Sequence, residues 1–126
     1  MGVIILDTSV LVDHLRSHPE ATRKLNEATT ANELCASVVT KVELLWGMRA
    51  PEKRAVRSLM NALTWLPVTD AVAERAGRMA RRYRASHANI DLADYVIGAT
   101  TVECGGKLWT CNVKHYPMFP KLDPPY

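Results

Sequence analysis

Along the chain, short apolar runs ending at polar residues alternate with stretches in which apolar side chains recur every three or four positions. Val3 to Leu6 is a continuous apolar run that stops at Asp7, the pattern of a strand buried on both faces. A helix opening at D-T-S carries Val10, Leu11, Val12 and Leu15 and ends near His18-Pro19, because proline disfavours helix in the residue before it. A second helix is expected from Glu20 to Ala28, a second strand from Leu34 to Val38 and a third helix from Thr40 to Met48. The Pro51 region opens a fourth helix with Val56, Leu59, Met60 and Leu63 on one face. Trp65 to Val68 reads as a short strand, and Pro67, which cannot donate to a ladder, assigns it to an edge. In A-V-A-E-R-A-G-R-M-A-R-R-Y-R, Val72, Ala76, Met79, Ala80 and Tyr83 share one helical face. A helix from Leu92 to Cys104 closes at Gly105-Gly106, as glycines end helices. Leu108 to Cys111 is a fourth strand, and Lys121 to Asp123 a marginal fifth before the last prolines.

Strands that alternate with helices imply a parallel sheet covered on both faces, since parallel strands need crossover connections. The 126 residues, 48% of them hydrophobic, suit one domain, 1–126, with a substantial core. In such sheets ligands bind beyond the carboxyl ends of the strands, where the strand order reverses. The residues just after each strand are therefore the ones to inspect.

The acids stand there. Asp7 follows the first strand, Glu43 lies one helical turn beyond the second, and Asp94 opens the helix before the fourth, after which comes Asn112. Each acid also has a capping reading: Asp7 for the helix at Thr8, T-x-x-E at Thr40 and Glu43, and Asp91 paired with Asp94. Taken together, three acids at one end of a sheet would repel, and such a cluster is costly unless a cation neutralises it. Mg²⁺ or Mn²⁺ suits carboxylate and water oxygens and keeps room for phosphate. That combination activates water against a phosphodiester, which is nuclease chemistry.

Charge and cysteine content add less. Sixteen Lys and Arg against thirteen Asp and Glu leave a net charge of +3, but Arg75, Arg78 and Arg82 share one helical face, which suits a polyanion. Cys35, Cys104 and Cys111 have no paired spacing and sit in apolar stretches, which reads as free buried thiols in a reducing compartment. The apolar opening M-G-V-I-I-L reaches Asp7 too soon for a signal peptide or a membrane span, so a cytoplasmic location is expected. His14, His18, His87 and His115 lack zinc-ligand spacing. The signatures of serine hydrolases, nucleoside-triphosphate enzymes and dinucleotide enzymes are missing.

The stretches I-I-L-D-T-S-V-L-V-D, A-S-V-V-T-K-V-E-L-L-W-G, I-D-L-A-D-Y-V-I-G-A-T-T and L-W-T-C-N-V-K-H-Y together resemble a PIN domain, and within that family the VapC-type ribonuclease toxins of VapBC toxin–antitoxin modules. The resemblance implies a three-layer α/β/α domain with a central, mostly parallel sheet of four to five strands. It also implies Mg²⁺-dependent RNA cleavage that inhibits translation. Asp7, Glu43 and Asp94 match the family's acids and thereby its metal ligands, and Thr8 matches a hydroxyl residue that holds a metal-bound water. Where the family carries a fourth acid, this chain has Asn112 or His115. One firmly bound ion is therefore expected in the free protein. Asp91 lies outside the shared acidic set and reads as an N-cap close to the metal site.

The family also implies a homodimer and a cognate VapB-type antitoxin that covers the site. Leu44, Leu45, Trp46 and Met48 occupy more of their helix than one core-facing stripe requires, and Leu11, Val12 and Leu15 do likewise. Leu11, Leu15, Leu45 and Trp46 are the expected partner contacts, and Lys41, Arg49, Arg78, Arg82 and Lys114 the expected RNA contacts. The rival readings are a housekeeping RNA-processing nuclease of the same family and a PIN-like interaction domain without catalysis. A phosphoacceptor receiver domain is disfavoured, because D-T-S stands where that class needs paired acids.

Overall fold

A computed structural model describes residues 2–126. Strand β1 (Gly2–Leu6) leads into helix α1 (Thr8–Leu15), followed by α2 (Pro19–Ala28), β2 (Asn32–Ser37), α3 (Val38–Gly47), α4 (Lys53–Ala62), β3 (Thr64–Leu66), α5 (Asp70–Tyr83), α6 (Leu92–Cys104) and β4 (Lys107–Trp109). Short 3₁₀ turns occupy Ala50–Glu52 and Val113–His115. The sheet order is β3-β2-β1-β4 and every pairing is parallel. The chain thus runs outward from β1 to β3 and returns to β1's other side as β4. That reversal falls between β1 and β4, and Asp7 stands at its mouth with its backbone N–H donating to Trp109 O at 2.9 Å.

Alternation along β1 sorts the core. Ile4 and Leu6 face a cluster made with Val10, Leu11, Leu25, Ala36, Val56 and Met60, from α1, α2, β2 and α4. Ile5 faces the opposite cluster with Cys35, Ile97, Leu108 and Tyr116. Beyond it, Val72 and Ala76 of α5 pack on Tyr95, Val96 and Ala99, so α5 lies outside α6. Each such fully buried aliphatic side chain contributes roughly 1.5–3 kcal/mol through the water it leaves. Helix α3 spans the rim, giving Leu44 to the first cluster and Val39 to the second and third.

Several expected boundaries move. Helix α1 ends at Leu15, three residues short of His18, and Ser17 takes a left-handed φ of 63° in the turn. Proline then serves as the first residue of α2, with His18 capping it through Nδ1. Helix α3 starts at Val38 and is capped by the Ser37 hydroxyl, so Thr40 and Glu43 do not form the expected capping box. Thr40 is fully buried. No fifth strand forms at Lys121 to Asp123: Phe119 and Leu122 close turns onto Tyr116 and Phe119, and the tail crosses to α1, where Tyr126 donates to Asp13 Oδ2 at 2.6 Å. Only Cys35 is a buried thiol, since Cys104 and Cys111 are exposed. Among the described residues, no helix is long and apolar enough to cross a membrane.

Candidate active site

Asp7 is positioned twice, as the residue that ends β1 and as the N-cap of α1. The residue is only 3% exposed, yet among the described residues no Lys or Arg pairs with it. Hydroxyls hold it instead. Ser9 Oγ and Thr110 Oγ1 donate to Oδ2 at 2.6 and 2.8 Å, and the Tyr116 phenol donates to Oδ1 at 2.9 Å. The Ser9 backbone N–H adds a bond at 3.3 Å. Three hydroxyl donors satisfy the hydrogen-bonding capacity of this buried carboxylate.

Asp94 sits at the third residue of α6 in a reciprocal capping box. Asp91 Oδ1 accepts from the Asp94 N–H at 3.1 Å, and Asp94 Oδ2 accepts from the Asp91 N–H at 3.3 Å. The same Oδ2 lies 3.1 Å from His115 Nδ1, and Oδ1 lies 3.4 Å from the Tyr116 hydroxyl. Burial, and after it the charge of Asp91, pushes the Asp94 carboxyl up to about 6 against the opposing pull of the Asp91 N–H and His115. Glu43, in the second turn of α3, accepts from Thr8 Oγ1 at 2.6 Å. Burial raises its carboxyl too, opposed by the Thr8 bond and reinforced by the charges of Asp91 and Asp7. Asp7, Glu43, Asp91 and Asp94 therefore share one electrostatic neighbourhood at the carboxyl end of the sheet.

They are not packed equally. Asp7 and Asp94 meet at a single phenol oxygen, while Glu43 reaches the neighbourhood through Thr8. Among the described residues, no three His, Cys, Asp or Glu side chains gather closely enough to hold a metal ion between them. The donor set still fits a hard divalent cation, because such ions are commonly held by one or two carboxylates with water completing the shell. Asp7 and Asp94 are the two carboxylates that could hold one, since both bond the same phenol.

The other expected residues divide. Thr8 spends its hydrogen on Glu43 and lies 3.1 Å from the Thr40 hydroxyl. Asn112 is exposed and makes no side-chain cap; its N–H donates to Thr110 Oγ1 at 3.0 Å. Lys41 Nζ stands 4.7 Å over the Trp65 ring, Arg49 pairs with Glu52 at 3.3 Å, and Arg82 lies over Tyr83. Arg78 and Lys114 are exposed, whereas Arg75 pairs with Glu103 on α6. Trp46 is 90% exposed and Leu45 is exposed beside it, as a partner surface requires. Leu11 is not: it is fully buried in the core below α1 and cannot meet a partner. Leu15 is half-buried against the same cluster.

Sequence reasoning missed Ser9, Thr110 and Tyr116. The first two carried a signal, being hydroxyls beside the acid and beside the end of a strand. Tyr116 carried none, since its partner Asp7 is 109 positions away.

A parallel sheet whose carboxyl end gathers acids held by hydroxyls defines a class. The PIN domain matches residues 4–116, and the chain belongs to that family. Ribonuclease VapC19 of Mycobacterium tuberculosis is 45% identical over 123 residues, covering 97% of this chain and 98% of that protein. Ribonuclease VapC10 of the same organism is 44% identical over 124 residues, covering 98% and 93%. In structure, a chain of DNA-bound VapBC from Salmonella typhimurium superposes with a TM-score of 0.82 at 20% identity, over 98% of this chain and 97% of that one. A chain of a toxin–antitoxin complex from Klebsiella pneumoniae gives a TM-score of 0.82 at 22% identity, over 98% of both. Those two likenesses establish the α/β/α fold.

Proposed function

We propose that this protein is a divalent-metal-dependent endoribonuclease acting as the toxin of a toxin–antitoxin module. The observation that carries the reading is the convergence of Asp7 and Asp94 on one phenol at the reversal of strand order, with no Lys or Arg among the described residues paired to either. Near-full-length similarity to two proteins named as VapC ribonucleases supports the substrate class. Asp7 and Asp94 would hold Mg²⁺ or Mn²⁺ directly. Glu43 would act across intervening water, and Asp91 as a cap that adds negative charge nearby. When bound, such an ion supplies Lewis acidity and offsets the charge that develops during phosphodiester hydrolysis. The protein's own part is orientation: Ser9, Thr110 and Tyr116 hold Asp7, the α6 cap holds Asp94, and Glu43 keeps the Thr8 proton at Oε1. Arg78, Arg82 and Lys114, exposed and without a carboxylate partner among the described residues, would receive the RNA backbone.

A VapB-type antitoxin is the proposed partner. Val42, Leu45 and Trp46 present an exposed apolar stripe on α3. Next to it, a cavity between α1, α3 and α4 is lined by Val12, Leu15, Leu44, Met48 and Val56, with Glu43 among its walls. An apolar segment seated there would lie next to Glu43.

The test is cleavage of a defined RNA with and without Mg²⁺ or Mn²⁺, using Asp7→Asn and Asp94→Asn as controls. Metal-dependent cutting is expected to vanish in both variants, by at least about 100-fold for groups of this kind. Titration calorimetry on the free protein should give one tight ion, and two tight sites without RNA would contradict the ligand assignment. A folded wild type that binds metal but cuts no RNA would leave the non-catalytic interaction domain standing.

A further inference from the structure

Of the three hydroxyls that hold Asp7, that of Tyr116 also reaches Asp94. The Tyr116 side chain is fully buried, and its one hydroxyl touches the two acids proposed as inner ligands, at 2.9 Å from Asp7 Oδ1 and 3.4 Å from Asp94 Oδ1. Those acids arrive from distant parts of the chain, one from the end of β1 and the other from the first turn of α6. Among the described residues, no other side chain bonds to both. We propose that Tyr116 is a positioning residue that sets the spacing between Asp7 and Asp94 and so pre-forms the divalent-metal site, an inference that rests on the metal-dependent nuclease reading above.

Rigidity makes the phenol fit for this. The ring packs with Ile5 and Leu108 of the sheet and stacks on Phe119 at 6.4 Å between centroids. It also lies against α6 one turn beyond Asp94, where a Cβ added at Gly98 would stand 3.6 Å from Tyr116 Cδ1. The backbone is pinned on both sides, with the Tyr116 N–H donating to Val113 O at 3.1 Å and the Phe119 N–H donating to Tyr116 O at 3.0 Å. The phenol has one hydrogen to donate, and both nearby acceptors are carboxylate oxygens. A single hydrogen is shared unequally, mainly with Asp7, and the phenol dipole offsets part of the repulsion between the two carboxylates. Without it, Asp7 Oδ1 loses its donor, and Asp94 keeps only His115 and its own cap to orient it. The acids then have to be gathered by the incoming ion. Removing a partner that orients metal ligands typically lowers metal affinity by about 10–100-fold.

Tyr116→Phe keeps the ring and its packing and removes only the hydroxyl. Calorimetric titration of the metal-free protein with Mn²⁺ should show a dissociation constant raised roughly 10-fold. RNA cleavage should need proportionately more metal, while the rate at saturating metal stays within about 3-fold of wild type, since the phenol touches neither RNA nor the reacting atoms. An unchanged dissociation constant, or a rate loss that saturating metal does not restore, overturns the proposal. If the wild type neither binds Mn²⁺ nor cuts RNA, the nuclease reading fails first. If it does both and Tyr116→Phe matches it, only this inference fails. Should the variant not fold, the wild type labelled with 3-fluorotyrosine at its four tyrosines supplies the answer by fluorine NMR. A resonance that shifts on adding Mg²⁺ is expected, and four unmoved resonances overturn the bridge.

Discussion

Asp94 makes the site sensitive to pH, because its carboxyl is raised to about 6 by burial and by the charge of Asp91. In the unfolded chain the same group ionises near 3.8. Between those values the folded state holds the proton and the unfolded state does not, so stability falls as pH rises through that window and levels off above it. Metal affinity runs the other way, since a ligand must lose its proton to bind. The metal-free wild type should therefore lose melting temperature from about pH 4 to about pH 6 relative to Asp94→Asn, while Mn²⁺ affinity climbs through about pH 6. Parallel melting curves for the two proteins would sink the assignment of the raised group. At this scale Asp7, Glu43 and Asp94 stood out in the sequence only as a set, because each alone reads equally well as a helix cap. Ser9, Thr110 and Tyr116 did not, because hydroxyls are common and only distance reveals which ones meet a carboxylate.

Capping decides where two of the functional helices begin. For α6 the reciprocal bonds between Asp91 and Asp94 were written into the spacing D-L-A-D, and they form as expected. Asp91→Ala should cost about 0.5–2 kcal/mol as a lost cap, measured by denaturant unfolding, and reduce RNA cleavage only in part. Complete loss of cleavage with fold and metal affinity intact would make Asp91 a ligand. For α3 the spacing T-x-x-E misled. Ser37 offers the same chemistry three residues earlier, and the strand before it ends there. Starting at Val38 rather than Thr40 sends Thr40 inward and leaves Glu43 in the second turn, where it accepts from Thr8. A capping box was thus replaced by a tertiary hydrogen bond.

At the scale of the molecule the apolar excess on α1 and α3 has two different outcomes. Leu11 is consumed by the core, while Val42, Leu45 and Trp46 stay outside. Trp46→Glu should leave the fold nearly untouched, within about 0.5 kcal/mol for so exposed a residue. It should weaken dimerisation or antitoxin capture, measured by sedimentation and by co-purification with the antitoxin. A folded variant with unchanged assembly would remove α3 from the partner surface. Periodicity could not separate Leu11 from Leu45, since it reports which faces of a helix are apolar and not what lies against them.

The sequence alone settled the alternation of strands and helices, the parallel sense of the sheet and β3's edge position, and it singled out three acids as candidates. All of these follow from local pattern: hydrophobic period, proline's missing donor, and acids at helix starts. Tertiary structure decided the rest, because it depended on residues remote in sequence becoming neighbours. The order β3-β2-β1-β4 brought β4 beside β1, and with it Thr110 and Tyr116 to Asp7. It also set Glu43 apart, reaching the other acids through Thr8 and through charge.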